Sequence, residues 1–261
     1  MNPKICQLPL FTREEFLHHI KLGHFQSVII PTGSTEQHLN HLSMNMDIAM
    51  SRFIAAKAAE QLYPNTLITS PISFGIAEHH MHFPGTISAK PGSWLSIMFD
   101  LIESILRHGI KKVLILNGHG GNVAPVEGVF EQWKLHLVAN QNMSIKSIMP
   151  AKIENHYEYL DAIVNNERND VDIRFNSYWD FIPENIINCI LETKEYPGHA
   201  GEFETSLAMY AIPDIVRFDK IKSSKEIGIQ KASSEKGEEL AKQAIKGTIA
   251  AIRNMLNLKE K

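Results

Sequence analysis

The chain has 261 residues, with 26 basic against 29 acidic side chains and a formal net charge of −3. Hydrophobic residues make up 44% and charged residues 21%, the mix of a globular chain that buries a core, which excludes a disordered protein. The balanced charge leaves no basic surplus to neutralise a phosphate backbone, so nucleic acid is not an expected partner.

Along the chain, Val28-Ile29-Ile30 reads as a buried strand that stops at Pro31-Thr32-Gly33. Asp47 to Leu62 has helical spacing, with Ile48, Ala55, Ala58, Ala59 and Leu62 on one side. Thr66 to Thr69 is a second strand, ended by Pro71. From Ser93 to His108 the apolar positions Leu95, Met98, Phe99, Ile102, Ile105 and Leu106 trace a helical face, and Gly109 suits its C-cap. Val113 to Leu116 is the strongest strand signal. A helix is expected from Val123, with Asn122 as N-cap and Pro125 in the first turn. Ser144 to Met149 is a further strand candidate. The polar stretch from Lys152 to Tyr196 is expected to form lids and loops, and Lys231 to Leu256 a long surface helix.

Strand alternating with helix is the pattern of a parallel sheet covered on both faces, and no linker composition divides the chain. One domain over residues 1–261 is expected. Cys6 and Cys189 lie far apart without CxxC spacing, as in a reducing compartment. No apolar run has the length to span a bilayer, and the N-terminus lacks the apolar stretch of a signal peptide. A cytoplasmic protein with no membrane partner is the expectation.

Thirteen histidines are an unusual share, and three segments gather the ones with chemical company. In open α/β sheets, ligands bind beyond the carboxyl ends of the strands. The first strand leads into Glu36-Gln37-His38, with Asp47 nine residues on. The strongest strand leads into Asn117-Gly118-His119-Gly120-Gly121-Asn122. Gly198-His199-Ala200-Gly201-Glu202-Phe203-Glu204-Thr205-Ser206 opens another helix. Carboxylates mixed with imidazoles suit zinc, manganese or iron more than calcium. Each fragment alone also fits a structural role: Glu202 and Glu204 near a helix start are favourable against the dipole and otherwise solvated. Their joint placement at strand ends and helix starts favours a site.

Together these segments resemble the creatininase (creatinine amidohydrolase) family, whose blocks run G-s-x-E-Q-H, N-G-H-G-G-N and G-H-A-G-x-x-E-T-S. Phe83-Pro84-Gly85-Thr86 also resembles that family's F-P-G-T element, and the matches run in order from Gly33 to Ser206. The resemblance implies a three-layer α/β/α sandwich with a mostly parallel sheet and two divalent metal ions at the strand ends. By position, Glu36, Asp47 and His119 would bind one ion and His38, Asp47 and Glu204 the other, with Asp47 as bridge. His199 would be the acid or base that moves a proton, and a metal-bridged hydroxide the nucleophile. Homo-oligomers, often hexamers, are implied too.

The departures bear on substrate. Leu39 to Met46 replaces a glycine, two prolines and a threonine of the family pattern, so the pocket lip differs. Creatininases carry tyrosine and glutamate where this chain has Gly120 and Gly121, which disfavours creatinine and leaves Glu204 to supply a carboxylate. His80 and His82, beside the F-P-G-T element, and Trp179 are candidates for substrate contact. His41 reads as a packing residue. The leading expectation is hydrolysis of a C–N bond in a small amide, cyclic amide or formamide. The alternative is hydrolytic C–C ring opening of a keto-inositol on the same centre, which a polar lip of Asn40, Ser43 and Asn45 would suit. A dinucleotide-binding fold is disfavoured, since no strand is followed by G-x-G-x-x-G.

Overall fold

The computed structural model describes residues 6–142 and 170–258. Within them, strands β1 (Ser27–Thr32), β2 (Thr66–Ile68), β3 (Lys112–Asn117) and β4 (Asp172–Ser177) form a parallel sheet in the order β2-β1-β3-β4. The described helices are α1 (Arg13–Lys21), α2 (Met46–Leu62), α3 (Pro91–Arg107), α4 (Val123–Glu127), α5 (Phe130–Asn142), α6 (Glu184–Ile190), α7 (Glu202–Ala211), α8 (Phe218–Ser223), α9 (Ile227–Lys231) and α10 (Ser234–Met255).

Side chains alternate across a strand, so a continuous apolar run such as Val28-Ile29-Ile30 must be covered on both faces. Val28 and Ile30 join Val113 and Ile115 in a cluster with Trp94, Met98 and Ile102 of α3. Ile29, Leu114 and Leu116 join the opposite cluster, with Ile54 and Ala58 of α2 and Leu240 and Ala244 of α10. Each such aliphatic side chain, fully buried, contributes about 1.5–3 kcal/mol, which is why the helices stay docked on both faces. This is the three-layer α/β/α arrangement that the sequence led us to expect. No described helix is long and apolar enough to cross a membrane.

The chain leaves β1 for β2 on one side, then returns past β1 to place β3 on the other. The loops after β1 and β3 therefore diverge from neighbouring strand ends, and a crevice opens between them.

Several sequence expectations need correction. Part of the stretch expected to be lids and loops is β4, followed by α6. Its strand escaped notice because Asp172, Arg174 and Asn176 alternate with Ile173 and Phe175, and only Ile173 and Ser177 are buried. Arg174 bonds Asp172 at 2.7 Å and Asn254 of α10 at 2.8 Å, so polar pairing stabilises this strand alongside its hydrogen bonds to β3. Residues 152–169 and the strand expected over Ser144–Met149 lie outside the described residues. The last helix is the long surface helix expected, and Leu240, Ala241, Ala244, Thr248, Ile252 and Met255 bury its inner face against α2 and α7. Its small residues there allow close approach. Asn122 does not cap α4, and its amide is used elsewhere. Gly109 ends α3 as expected, at φ +88° with its N–H on the Leu106 carbonyl.

One buried charge ties α10 to the start of α7. Glu202 has no exposed surface and accepts from the Glu192 N–H, the Thr193 N–H and hydroxyl, and Lys236 Nζ at 2.5 Å. Removing one member of a buried ion pair leaves the other charge unmatched. Lys236→Met should destabilise the protein by about 3 kcal/mol in chemical denaturation, the low end for such a loss because three hydrogen bonds remain. Adding Glu202→Gln should recover part of that loss.

Candidate metal centre

The strand ends are built without side chains where α2 lands on them. A Cβ on Gly33 would lie 2.7 Å from the Ile48 nitrogen, and one on Gly118 would overlap the Asp47 carbonyl oxygen. Glycine at both positions lets the first turn of α2 settle between β1 and β3, which carries Asp47 to the head of the crevice. The two asparagines of the second motif hold the loops around it. Asn117 Nδ2 donates to the His119 carbonyl at 2.7 Å and Ser177 Oγ at 3.0 Å. Asn122 Oδ1 accepts from the Ile76 N–H at 2.9 Å, while its Nδ2 donates to Asn117 Oδ1 at 3.1 Å.

All five carboxylates and imidazoles proposed as ligands converge and are buried: Glu36, His38, Asp47, His119 and Glu204. Asp47 lies between the two imidazoles, with Oδ1 3.0 Å from His38 Nε2 and Oδ2 3.1 Å from His119 Nδ1. Glu36 Oε1 is 3.1 Å from His119 Nδ1, and Glu204 Oε2 is 3.7 Å from His38 Nε2. Each imidazole is anchored by its other nitrogen. His38 Nδ1 is 3.1 Å from the Glu36 carbonyl, and His119 Nε2 is 3.1 Å from the Ile76 carbonyl. A carbonyl only accepts, so these nitrogens carry the hydrogens, and the other ring nitrogens face the carboxylates. Imidazoles that bind metals are held in this way.

The fit to a divalent ion can be tested on orphaned atoms. Glu36 Oε2, His38 Nε2 and Asp47 Oδ2 are buried without a hydrogen-bond partner, although nitrogen and oxygen come within 3.0–3.1 Å around Asp47. The atoms are close but not aligned as N–H to oxygen. Buried polar atoms are nearly always partnered, and three orphans in one nitrogen and oxygen cluster match a metal's donor set. His38, Asp47 and Glu204 place one ligand atom each within 4.8 Å of one another, as do Glu36, His79 and His119, and Glu36, His38 and His199.

Electrostatics mark the same place. Burial opposes charge on both imidazoles, but Asp47 and Glu204 outweigh it at His38 and push it to about 9. Asp47 and Glu36 likewise push His119 to about 10. Burial also opposes charge on Asp47, yet the two imidazoles draw it below its ordinary value. Burial and the neighbouring Asp47 charge push Glu204 up, against His38 and the Ala200 N–H, which it accepts at 2.5 Å. The two glutamates of the third motif thus face opposite ways, Glu202 into the tie with α10 and Glu204 into the cluster. Both are buried, contrary to the solvated alternative.

His199 lies over the cluster, its ring 4.5 Å from that of His38 and its Nδ1 3.8 Å from Glu36 Oε1. Burial, then the facing His38, holds it down to about 4. Its ring stacks at 4.4 Å on His80, which is half-buried. His82 is exposed and packs on Phe83. Trp179 is buried away from solvent, against Tyr178, beside a cavity of about 340 Å³ lined with Val126, Phe130, Phe175 and Asp180. His41 packs as expected, its Nε2–H donating to Thr205 Oγ1 at 2.8 Å. Thr86 of the F-P-G-T element accepts the Gln37 N–H at 3.1 Å, which fastens the first motif. The lip exposes Asn40 and Asn45 together with Leu39, Met44 and Phe83, so it is less polar than the sequence suggested. His79 and Gln37 were the residues missed. The run Glu78-His79-His80-Met81-His82 was the only sequence signal for the first, and the Glu-Gln-His motif for the second.

The sequence profile described as Creatininase: Creatinine amidohydrolase matches residues 11–252. The chain belongs to this family. Its members are metal-dependent hydrolases, and the chain is a hydrolase. It is 25% identical over 203 residues to the creatinine amidohydrolase of Pseudomonas putida, covering 74% of this chain and 67% of that protein. It is 31% identical over 113 residues to a mycofactocin precursor peptide peptidase of Mycobacterium ulcerans, covering 41% and 45% of the two chains. A 3-dehydro-scyllo-inosose hydrolase of Thermotoga maritima is 32% identical over 96 residues, covering 36% of this chain and 30% of that one. These last two alignments span less than half of either relative. The fold of a solved structure named Creatininase Mn superposes with a TM-score of 0.73 over 96% of this chain and 98% of that one, at 22% identity.

The creatininase-family motif has glycine at 121 here because that space is taken. A Cβ would lie 2.5 Å from His119 Nε2 and 2.9 Å from His79 Cε1, and would overlap the Ile76 carbonyl that anchors His119. Gly121→Ala should break that anchor and weaken metal affinity roughly 10- to 100-fold in chelator competition, as loss of a ligand's supporting bond does.

Proposed function

We propose that this hydrolase binds two divalent ions, zinc by its donor set with manganese or iron as the other candidates, and hydrolyses a C–N bond of a small polar amide, cyclic amide or formamide. Glu36, Asp47 and His119 would hold one ion and His38, Asp47 and Glu204 the other. The observation that carries this reading is the paired imidazoles, each tied by one N–H to a backbone carbonyl and turned by the other nitrogen onto Asp47. Two ions so placed would supply Lewis acidity, lowering the pKa of water and polarising a carbonyl.

The chain's own residues do the rest. Asp47 spans the cluster with both oxygens, and Glu36 and Glu204 close it from opposite sides. His199 and His80 stand over it on the solvent side, where a substrate would meet them. Burial of the five ligand side chains keeps bulk water off the charges, which strengthens every interaction among them. A C–N bond is favoured because the similarity to the Pseudomonas putida amidohydrolase runs over three quarters of the chain. C–C ring opening of a keto-inositol is the second reading, favoured by the local identity to the inosose hydrolase.

Elemental analysis of purified protein should find about two equivalents of divalent metal, and no metal with none taken up on titration would overturn the reading. Metal-loaded protein should turn over a formamide or cyclic amide in a panel that also contains keto-inositols and short peptides. Activity on keto-inositols alone would select the second reading. His199→Ala should keep its metal and lose turnover by roughly 10²-fold or more, as loss of a polar group at the reacting centre does.

A further inference from the structure

The loop after β1 turns at Leu39, whose backbone is left-handed at φ 54° and whose N–H donates to Gln37 Oε1 at 3.0 Å. That bond decides which end of the Gln37 amide is oxygen. With the amide reversed, one N–H would face another. The opposite end is therefore the NH2 group, which has two hydrogens to give and accepts none. It lies 2.9 Å from His199 Nε2 and 3.1 Å from His80 Nδ1. Both ring nitrogens must accept, so neither carries a hydrogen. In neutral imidazoles the hydrogens then sit on the far nitrogens, Nδ1 of His199 and Nε2 of His80. The lock is part of the scaffold: Gln37 is buried, and Thr86 holds its backbone N–H.

We propose that Gln37 is a positioning residue that holds the hydrogen of His199 on Nδ1, so that His199 serves the centre as a fixed N–H donor on the Glu36 side. His199 is near enough to Glu36 and His38 to be counted with them as a metal ligand, and it is Nδ1 that lies 3.8 Å from Glu36 Oε1. Coordination needs a lone pair on that atom, and the Gln37 bond puts a hydrogen there instead. What remains is donation. An N–H preset over the place where a carbonyl oxygen gains charge stabilises that charge without reorganisation. By the same amide, His80 offers Nε2–H at the mouth as a second donor. The preferred substrate group is thus an acceptor such as a carbonyl oxygen, which rests on the reading of the cluster as the reacting centre.

The test is a long-range proton–nitrogen correlation spectrum of nitrogen-15 histidine-labelled, metal-loaded protein at neutral pH, which reads each tautomer directly. His199 should appear as the Nδ1–H form and His80 as the Nε2–H form. Gln37→Glu keeps an acceptor for Leu39 but turns two donors into acceptors. It should move His199 to the Nε2–H form and lower kcat by roughly 10²-fold or more, the cost of one misplaced donor, with metal content unchanged. A native spectrum with hydrogen on His199 Nε2 overturns the proposal, as does a Gln37→Glu protein with unchanged tautomer and kcat. The native spectrum decides even where the variant fails to fold. Absence of metal uptake would instead overturn the metal-centre reading, and the tautomer would still be read in that sample.

Discussion

Asp47 is buried at the first turn of α2 with an imidazole on each carboxylate oxygen, and that placement sets conditions on everything around it. An isolated carboxylate out of water costs far more than a fold can spare, so it must be matched by partners of fixed position. His38 and His119 are that match. They come from different strand ends, and each is held by a backbone carbonyl, so the loops after β1 and β3 must both be rigid. The asparagines at 117 and 122 and the threonine at 86 supply the rigidity, and glycine at 33 and 118 the room.

From this follows a division of labour within short motifs. In Glu-Gln-His, the outer two residues face the cluster and the middle one faces the histidines above it. In the third motif, Glu204 faces the cluster while Glu202, two residues earlier and so on another side of α7, bonds Lys236 of α10. The centre and the core are therefore fastened to each other through α7. A helix that the apolar pattern describes as peripheral carries the charge partner for a residue beside the site.

Much of the site was legible in the residues. The five converging side chains were named from three motifs, and the structure brings all five together. The strands at 28–30, 66–69 and 113–116 were legible because their apolar runs are continuous, as burial on both faces requires. The strand β4 was not, because half of its residues are polar and paired with one another, so its face leaves little periodic signal. The last helix was legible as a long surface helix because its two faces differ in polarity. Its buried face sets Leu240, Ile252 and Met255 among Gly237, Ala241, Ala244 and Thr248, which keeps one side apolar while the small residues let neighbouring helices approach.

By itself the sequence determined the fold class and the identity of the converging carboxylates and imidazoles, since those depend on local periodicity and on motifs a few residues long. The tertiary structure alone decided which nitrogen of each imidazole faces the carboxylates, which glutamate of α7 points inward, and that Gln37 bonds His199 and His80 together. The physical reason is that a ring's tautomer is set by what its other nitrogen touches. Here those contacts are the Ile76 carbonyl, the Glu36 carbonyl and the Gln37 amide. The first of these and both histidines above the cluster lie 43 to 162 residues from their partners along the chain.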